Sequence, residues 1–506
     1  MQGKKDYQEK LFIRFQLSDY VPADNFYRRL RSILDLSFLY DSTAKYYGNE
    51  GQKSIDPVVF FKLMLVGYLE NMNSDRRIII TSRMRMDILY FIGYDLDEEL
   101  PWHSTLSRTR QLYGEETFTA IFKTVLKQCI DNGLVAGRRQ AVDSVLVKAN
   151  AALSSVVERQ ILDDAAGYGK ELDAHTEKLS SDNIIHLPDH LSASQASAKQ
   201  KPKPVNQARV SPSDTDARIS YKPGKVLALN YLSQVSVDTS NHVITHIQAF
   251  HADKGDGQCL PEILTQTVNT LKENGLTVHE VLADSGYSSE PGLLALIEHQ
   301  IEGYIPNRSG YKDDREGFTY DKEHDRYICS QGKYLTFRHF RAKGNGLHKL
   351  YKTSVSDCAT CPLKDSCTNP STGTKVIRES AIKDIYRQMQ QRVQSSKGRK
   401  MRKVRQGTVE PVLGTLVNFT GMKKVNTKGI AMANKCMIMA AVAYNLKKLL
   451  KLKPSPNKNS KTKPSGSLDN PFYNLITRFH RTTNAFIATL LPFNRNGQTT
   501  FWSFAR

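Results

Sequence analysis

Between residues 140 and 305 the order of patterned segments leaves few folds open. Gln140–Val147 is β-rich, with Asp143 inside it. Tyr231–Val237 alternates apolar and polar residues, Asp238–Asn241 (DTSN) reads as a turn, and His242–Phe250 alternates again. That sequence of signals predicts a β-hairpin. Leu260–Asn274 has helical periodicity, and Leu276–Ala283 reads as a strand ending at Asp284-Ser-Gly-Tyr. Ser289–Gln300 then reads as a helix and Ile301–Ile305 as a strand. A strand and a hairpin followed by alternating helix and strand predict a mixed sheet covered by helices, an α/β core.

The flanks read differently. Asp56–Asn71 (DPVVFFKLMLVGYLEN) opens on an Asp N-cap with Pro at the first helical position. Asp75–Ile92 and Leu100–Tyr113 follow, the latter with Ser104 or Thr105 as a cap and with Arg108 and Arg110 on the helix. Glu115–Asp131 predicts an amphipathic helix. A helical bundle of this kind either contacts DNA, through Arg108 and Arg110, or serves packing and dimerisation. Residues 154–222 lose periodicity, and Ser192–Ser213 has the Ser/Ala/Lys/Pro/Gln composition of a flexible excursion. The resulting division is 1–135 helical, 136–309 first part of the core, 310–372 an inserted β-leaning segment with cysteines, 373–452 basic and helical, and 453–506 a basic linker and tail. The whole is α+β.

Charge narrows the partner. Lys and Arg number 71 against 51 acids, a net charge of +20. Such a chain repels itself unless a polyanion neutralises it. Nucleic acid leads, because each phosphate contact releases counterions; a membrane surface is the weaker alternative, and a merely basic protein the plain one. No apolar run reaches the ~18–20 residues that span a bilayer. Lys62 interrupts Val58–Leu69, and Asn434-Lys435 interrupt Ala431–Leu446. Met1–Asp6 (MQGKKD) lacks the apolar stretch of a signal peptide. Seven cysteines, an odd number, argue against a disulfide framework and fit a reducing cytoplasm.

Three acids stand where a metal site needs them. Asp143 lies within a β-rich run, Asp284 ends a later strand, and Glu410 sits near the start of a long helical region, Val409–Leu452. An acid inside an apolar strand is costly to bury unpaired, and coordination of a divalent cation offsets that cost. Mg²⁺ takes hard oxygen ligands, and paired ions suit in-line displacement at phosphorus. Taken alone, each acid reads more readily as a turn or capping residue. Before Glu410, Lys375–Arg405 carries eleven Lys/Arg against Glu379 and Asp384. Arg399, Lys400, Arg402, Lys403 and Arg405 are the candidate phosphate contacts, with a solvated helix face as the alternative. His251, Asp253 and Asp256 follow the hairpin and read as a turn, with a place near the metal site as the alternative. Cys329, Cys358, Cys361 and Cys367 offer four thiolates in a loose zinc-ribbon spacing, with free thiols or disulfides as the other readings.

The runs AVDSVLVKANA (Ala141–Ala151), SDTDAR (Ser213–Arg218), VLADSGYSS (Val281–Ser289), GYIPNR (Gly303–Arg308), VEPVLGTL (Val409–Leu416) and AYNLKKL (Ala443–Leu449) occur in this order. Together they resemble the DDE transposases of bacterial insertion sequences, with a helical transposase-associated domain around residues 50–130. The resemblance covers about residues 10–452. It implies a ribonuclease-H-like core, with Asp143, Asp284 and Glu410 as the triad that holds Mg²⁺ or Mn²⁺, two ions in all. It implies cleavage of double-stranded DNA at element ends and joining of a 3′-OH to target DNA, by a homodimer or higher oligomer. A cytoplasmic, nucleoid-associated bacterial protein follows. The chain departs from related transposases where a Tyr, an Arg and a Lys frame the Glu: those places hold Lys403, Gln406 and Val417, with Arg405 one residue off. Glu379 is the rival third acid. The alternatives are a nuclease of the same fold without strand transfer, and a decayed or domesticated DNA-binding protein.

Overall fold

The computed structural model describes residues 15–48, 50, 54–160, 204–221, 226–308, 315–344 and 346–452. Met1–Asp6, most of the excursion and the 453–506 tail lie outside the described residues. The N-terminal part is helical: α1 (Phe26–Ile33), α2 (Pro57–Leu69), α3 (Asp75–Arg83), α4 (Met86–Ile92), α5 (His103–Leu112) and α6 (Glu115–Asp131). The Asp56 side chain caps α2 by accepting from Val58 N and Val59 N. α2 is apolar nearly all round and is buried nearly all round, as such a helix must be. The single helical run expected over 75–92 is two helices, broken at Met84-Arg85.

The central sheet has six strands: β1 (Arg139–Lys148), β2 (Arg218–Ser220), β3 (Ala228–Asp238), β4 (Ile244–His251), β5 (Glu280–Leu282) and β6 (Glu302–Tyr304). β3 runs antiparallel to β1 on one side and to β2 and β4 on the other. β5 and β6 continue from β1 in parallel. An antiparallel meander followed by parallel strands joined through helices is the ribonuclease-H-like arrangement. The connecting helices are α7 (Asp256–Lys272) and α8 (Glu290–Glu298). α7 starts four residues earlier than its apolar pattern, because Gly255 opens the helix and its N–H is met by the Gln258 side chain.

The inserted segment forms its own antiparallel sheet: β7 (Phe318–Asp321), β8 (Arg326–Cys329), β9 (Tyr334–Lys343), β10 (Gly346–Lys352) and β11 (Val376–Ser380). It has a small separate core of Tyr327, Leu335, Tyr351 and Ile377. The chain then returns through α9 (Lys383–Gln394), α10 (Ser396–Phe419) and α11 (Ile430–Leu452).

One continuous core joins the N-terminal helices to the sheet, and α11 runs through it. The polar residues of α11 account for its place. Asn445 accepts from Ile244 N and donates to Ile244 O, and Asn434 accepts from Ala249 N, so two amides satisfy the free edge of β4. A free strand edge is a template for pairing with another chain, and these three bonds occupy part of it. Lys435 donates to the Arg110 and Tyr113 carbonyls at the end of α5, and Lys447 to the Leu69 carbonyl at the end of α2. Helix C-termini carry unmet carbonyls, and lysines are suited to them. Among the described residues no helix is long and apolar enough to cross a membrane.

Candidate functional site

Asp143 sits in the middle of β1, opposite Val235 of β3. The parallel ladder of β1 and β5 pairs Arg139 with Glu280, Gln140 with Val281 and Ala141 with Leu282. Two residues further along each strand come Asp143 and Asp284. Register alone therefore sets the two acids side by side at the carboxyl end of β5. Asp284 caps the short turn Ser285–Tyr287, its Oδ1 accepting from Gly286 N at 2.8 Å. Arg308 holds that turn from outside by donating to the Gly286 carbonyl.

Gly286 has a second role. A Cβ there would lie 2.9 Å from Asp284 Oδ1 and 3.2 Å from Asp256 Oδ2. The absent side chain leaves a cradle between two carboxylates. Asp256 opens α7 and accepts from Gln234 Nε2 at 2.8 Å, while Gln234 Oε1 accepts from the buried Tyr287 hydroxyl. Burial, with Asp256, Asp143 and Asp284 around it, pushes that hydroxyl well above its usual range. Gly257 lets α7 approach, since a Cβ there would meet Ser289 at 2.7 Å. Asp256, read from sequence as a turn residue, thus stands beside Asp284; its flanking glycines were the available signal.

Glu410 projects from α10 with 60% of its side chain exposed. It is linked to Asp143 through Arg405, whose Nη1 is 2.9 Å from Asp143 Oδ2 and whose Nη2 is 3.8 Å from Glu410 Oε1. Pro411 lacks the N–H that would bond to the Gly407 carbonyl, which weakens α10 beside these two residues. Among the described residues no three His, Cys, Asp or Glu side chains come close enough to hold a metal ion. The donors still fit Mg²⁺ or Mn²⁺ in kind: carboxylate oxygens, hard and anionic, with the Gly286 cradle between two of them. At Asp143 the balancing positive charge is that of Arg405.

A cleft of about 750 Å³ opens at Asp284. Ala283, Asp284, Ser285 and Asn307 line it on the sheet side, and Arg399, Arg402 and Arg405 line it from α10. The three arginines are spaced by three residues and share one helix face. Lys400 and Lys403 are exposed and do not line the cleft.

Other expectations change. Arg108 is exposed, whereas Arg110 is 2% exposed and bonds both Asp75 oxygens, at 2.6 and 3.0 Å. Arg110 is therefore a core residue, turned inward by sharing a helix face with Leu106 and Thr109. The four cysteines do not gather into a zinc site: Cys358 Sγ is buried against Thr353, and Cys329 Sγ accepts from Lys333 N. Glu379 lies on β11 in ion pairs with Arg315 and Lys383, committed to the inserted sheet. Asp214 accepts from the Tyr231 hydroxyl and Gly429 N, and Asp216 from Ile430 N. The SDTDAR run thus caps α11. His251 and Asp253 contact Asp216 and Arg218 in the same corner.

A transposase domain family (DUF772) matches residues 15–112, and a transposase DDE domain family matches residues 328–450. No curated protein matches. Among solved structures, the piggyBac transposase synaptic complex with hairpin DNA is 11% identical, with 92% of this chain and 83% of that chain covered and a TM-score of 0.29. The Mos1 transposase paired-end complex with left transposon end is 9% identical, with 55% and 67% covered and a TM-score of 0.15. Those likenesses are too slight to carry an argument about the site. The N-terminal helices and the stretch from the inserted sheet to α11 are thus each similar to transposase domains, and the ribonuclease-H-like sheet lies between them.

Proposed function

We propose that the chain is a DDE transposase of the insertion-sequence kind, which cleaves double-stranded DNA at the ends of its element and joins the freed 3′-OH to target DNA, with Asp143, Asp284 and Glu410 as its catalytic carboxylates. The observation that carries the reading is the parallel register of β1 and β5, which brings Asp143 beside Asp284 at the end of β5, with Glu410 tied to Asp143 through Arg405. Divalent ions held by these carboxylates would activate the attacking oxygen and stabilise the departing one. The chain's own part is positional. Arg399 and Arg402 draw the phosphate backbone along the cleft wall, and Arg405 exchanges a carboxylate for a phosphate oxygen as the strand enters. Fixed cations at a developing charge and a strand held in line are large contributions to phosphoryl transfer. Arg108, Lys400 and Lys403 add exposed phosphate contacts. Two copies of the chain, one per element end, act in the cytoplasm on the nucleoid.

The test uses purified full-length protein, Mg²⁺ and labelled duplex carrying the element's own ends, beside Glu410→Ala. Cleavage and joined products in the parent, reduced about 10³-fold in the variant with DNA binding kept, are expected for a carboxylate that acts as part of one unit. Cleavage that survives in Glu410→Ala would sink the assignment of the third acid. Cleavage without joining would favour the nuclease reading.

A further inference from the structure

Gln234 lies inside the sheet, on β3, paired with Ser144 of β1 on one side and with Gln248 of β4 on the other. It is fully buried, and so is Tyr287 in the turn after Asp284. An amide and a phenol in such places are costly unless their polar groups find partners. Here the partners run in one direction. An ionised carboxylate can only accept, so Gln234 turns its NH2 to Asp256 Oδ1, at 2.8 Å. Its carbonyl then falls to the Tyr287 hydroxyl, which donates to it. Asp256 Oδ2 has no hydrogen-bond partner among the described residues. It lies 3.2 Å from the point that a Cβ of Gly286 would occupy, and Asp284 Oδ1 lies 2.9 Å from the same point. One residue along α7, the Gly257 carbonyl accepts from Ser289 Oγ at 2.7 Å. The start of α7 is thus tied twice to the segment 284–289, directly at Gly257 and through the sheet at Asp256. The positive end of this 17-residue helix favours a charged Asp256. Among the described residues neither Asp256 nor Asp284 has an ion-pair partner, whereas Arg405 meets Asp143 and Glu410.

We propose that Tyr287 and Gln234 are positioning residues of the reaction: through one chain of hydrogen bonds they turn Asp256 so that its second oxygen joins Asp284 in holding a divalent ion. The inference rests on the reading of Asp284 as a metal carboxylate. Groups that bond a ligand from behind fix its direction and its charge. Without the Tyr287 hydroxyl nothing fixes the sense of the amide. Turned over, it would aim its oxygen at Asp256 and push that carboxylate away from the cradle. The turn that carries Asp284 therefore also sets, by way of β3, the second carboxylate beside it. Tyr287 does not line the cleft, so its hydroxyl acts only through this chain.

The experiment titrates full-length protein with Mn²⁺ in the absence of DNA and reads free Mn²⁺ by paramagnetic resonance. It compares the parent with Tyr287→Phe, with Asp256→Asn and with the two combined. Each single variant is expected to bind Mn²⁺ about 10-fold more weakly, the usual effect of a group supporting a metal ligand. The combination should be no weaker than Asp256→Asn alone, because Tyr287 acts through Asp256. Independent effects would instead multiply to about 100-fold, and that result overturns the proposal. So does a Tyr287→Phe protein that binds Mn²⁺ like the parent. A merely structural hydroxyl would lower the melting temperature equally with and without Asp256 and leave Mn²⁺ affinity alone. If Tyr287→Phe does not fold, Gln234→Met takes its place in the same comparison. Asp284→Asn reports separately on the site: unchanged Mn²⁺ affinity there means that the metal reading fails. Loss in Asp284→Asn beside a parent-like Tyr287→Phe means that only the positioning chain fails.

Discussion

Arg405 reaches back across 262 residues of sequence to place its Nη1 2.9 Å from Asp143 Oδ2. Both side chains are largely buried, 13% and 17% exposed. A guanidinium in that place does for Asp143 what a divalent cation would do, so the two compete for the same carboxylate.

Arg405→Ala should therefore raise the affinity for Mn²⁺ and lower catalysis together. We expect Mn²⁺ to bind several-fold more tightly and cleavage to fall by about 10²-fold, the loss typical of one fixed donor at a reacting phosphate. Paramagnetic resonance of free Mn²⁺ reads the first quantity. Affinity unchanged or weakened would show that Arg405 does not compete.

Asp256→Asn keeps the hydrogen bond from Gln234 and removes one charge beside Asp284. Groups that support metal ligands typically contribute 10–100-fold to affinity. We expect Mn²⁺ binding weakened by about 10-fold, with a melting temperature like the parent's.

Gly286→Ala tests the same cradle by volume. Its methyl would sit 2.9 Å from Asp284 Oδ1 and 3.2 Å from Asp256 Oδ2. Both carboxylates must then shift. Metal-dependent cleavage should fall by at least 10-fold, since small misplacements at a reacting centre are amplified, while circular dichroism stays that of the parent.

Arg110→Ala should cost stability and leave DNA binding alone. Removing one partner of a buried ion pair strands the other, at about 3–5 kcal/mol. Chemical denaturation measures the loss. The salt dependence of DNA affinity should not change, whereas a phosphate contact would lower that slope by about one.

Acid should loosen the seam between sheet and helices. Burial pushes the His246 imidazole down to about 4. The unfolded chain takes up its proton near 6.5 and the folded one resists, so stability falls as pH drops from 6.5 toward 4. His246→Gln should flatten that part of the melting-temperature profile.

The parts legible in the sequence were those with a local cause. Asp56-Pro57 marks its helix because capping and a fixed φ act within one turn. Asp143 and Asp284 could be placed because strand alternation and a following Ser-Gly turn are short-range signals. Arg110 was misread because its partner, Asp75, lies 35 residues earlier on another helix. Asp256 was undervalued because its neighbour Asp284 becomes a neighbour only through sheet register. Asn434 reads as an interruption of an apolar helix and Asn445 only as part of the AYNLKKL run; both amides tie that helix to β4.

The course of α11 bears on how the chain is made. Its residues 430–452 cover α2, more than 360 positions upstream, through Lys447 and the apolar side chains shared in one core. A ribosome must deliver nearly all of the core before α2 can be enclosed. Until then an apolar helix stands open, a state that chaperones hold and proteases sample. A message cut short anywhere before α11 should thus yield no stable N-terminal fragment, and synthesis to residue 452 becomes the condition for any transposase to accumulate.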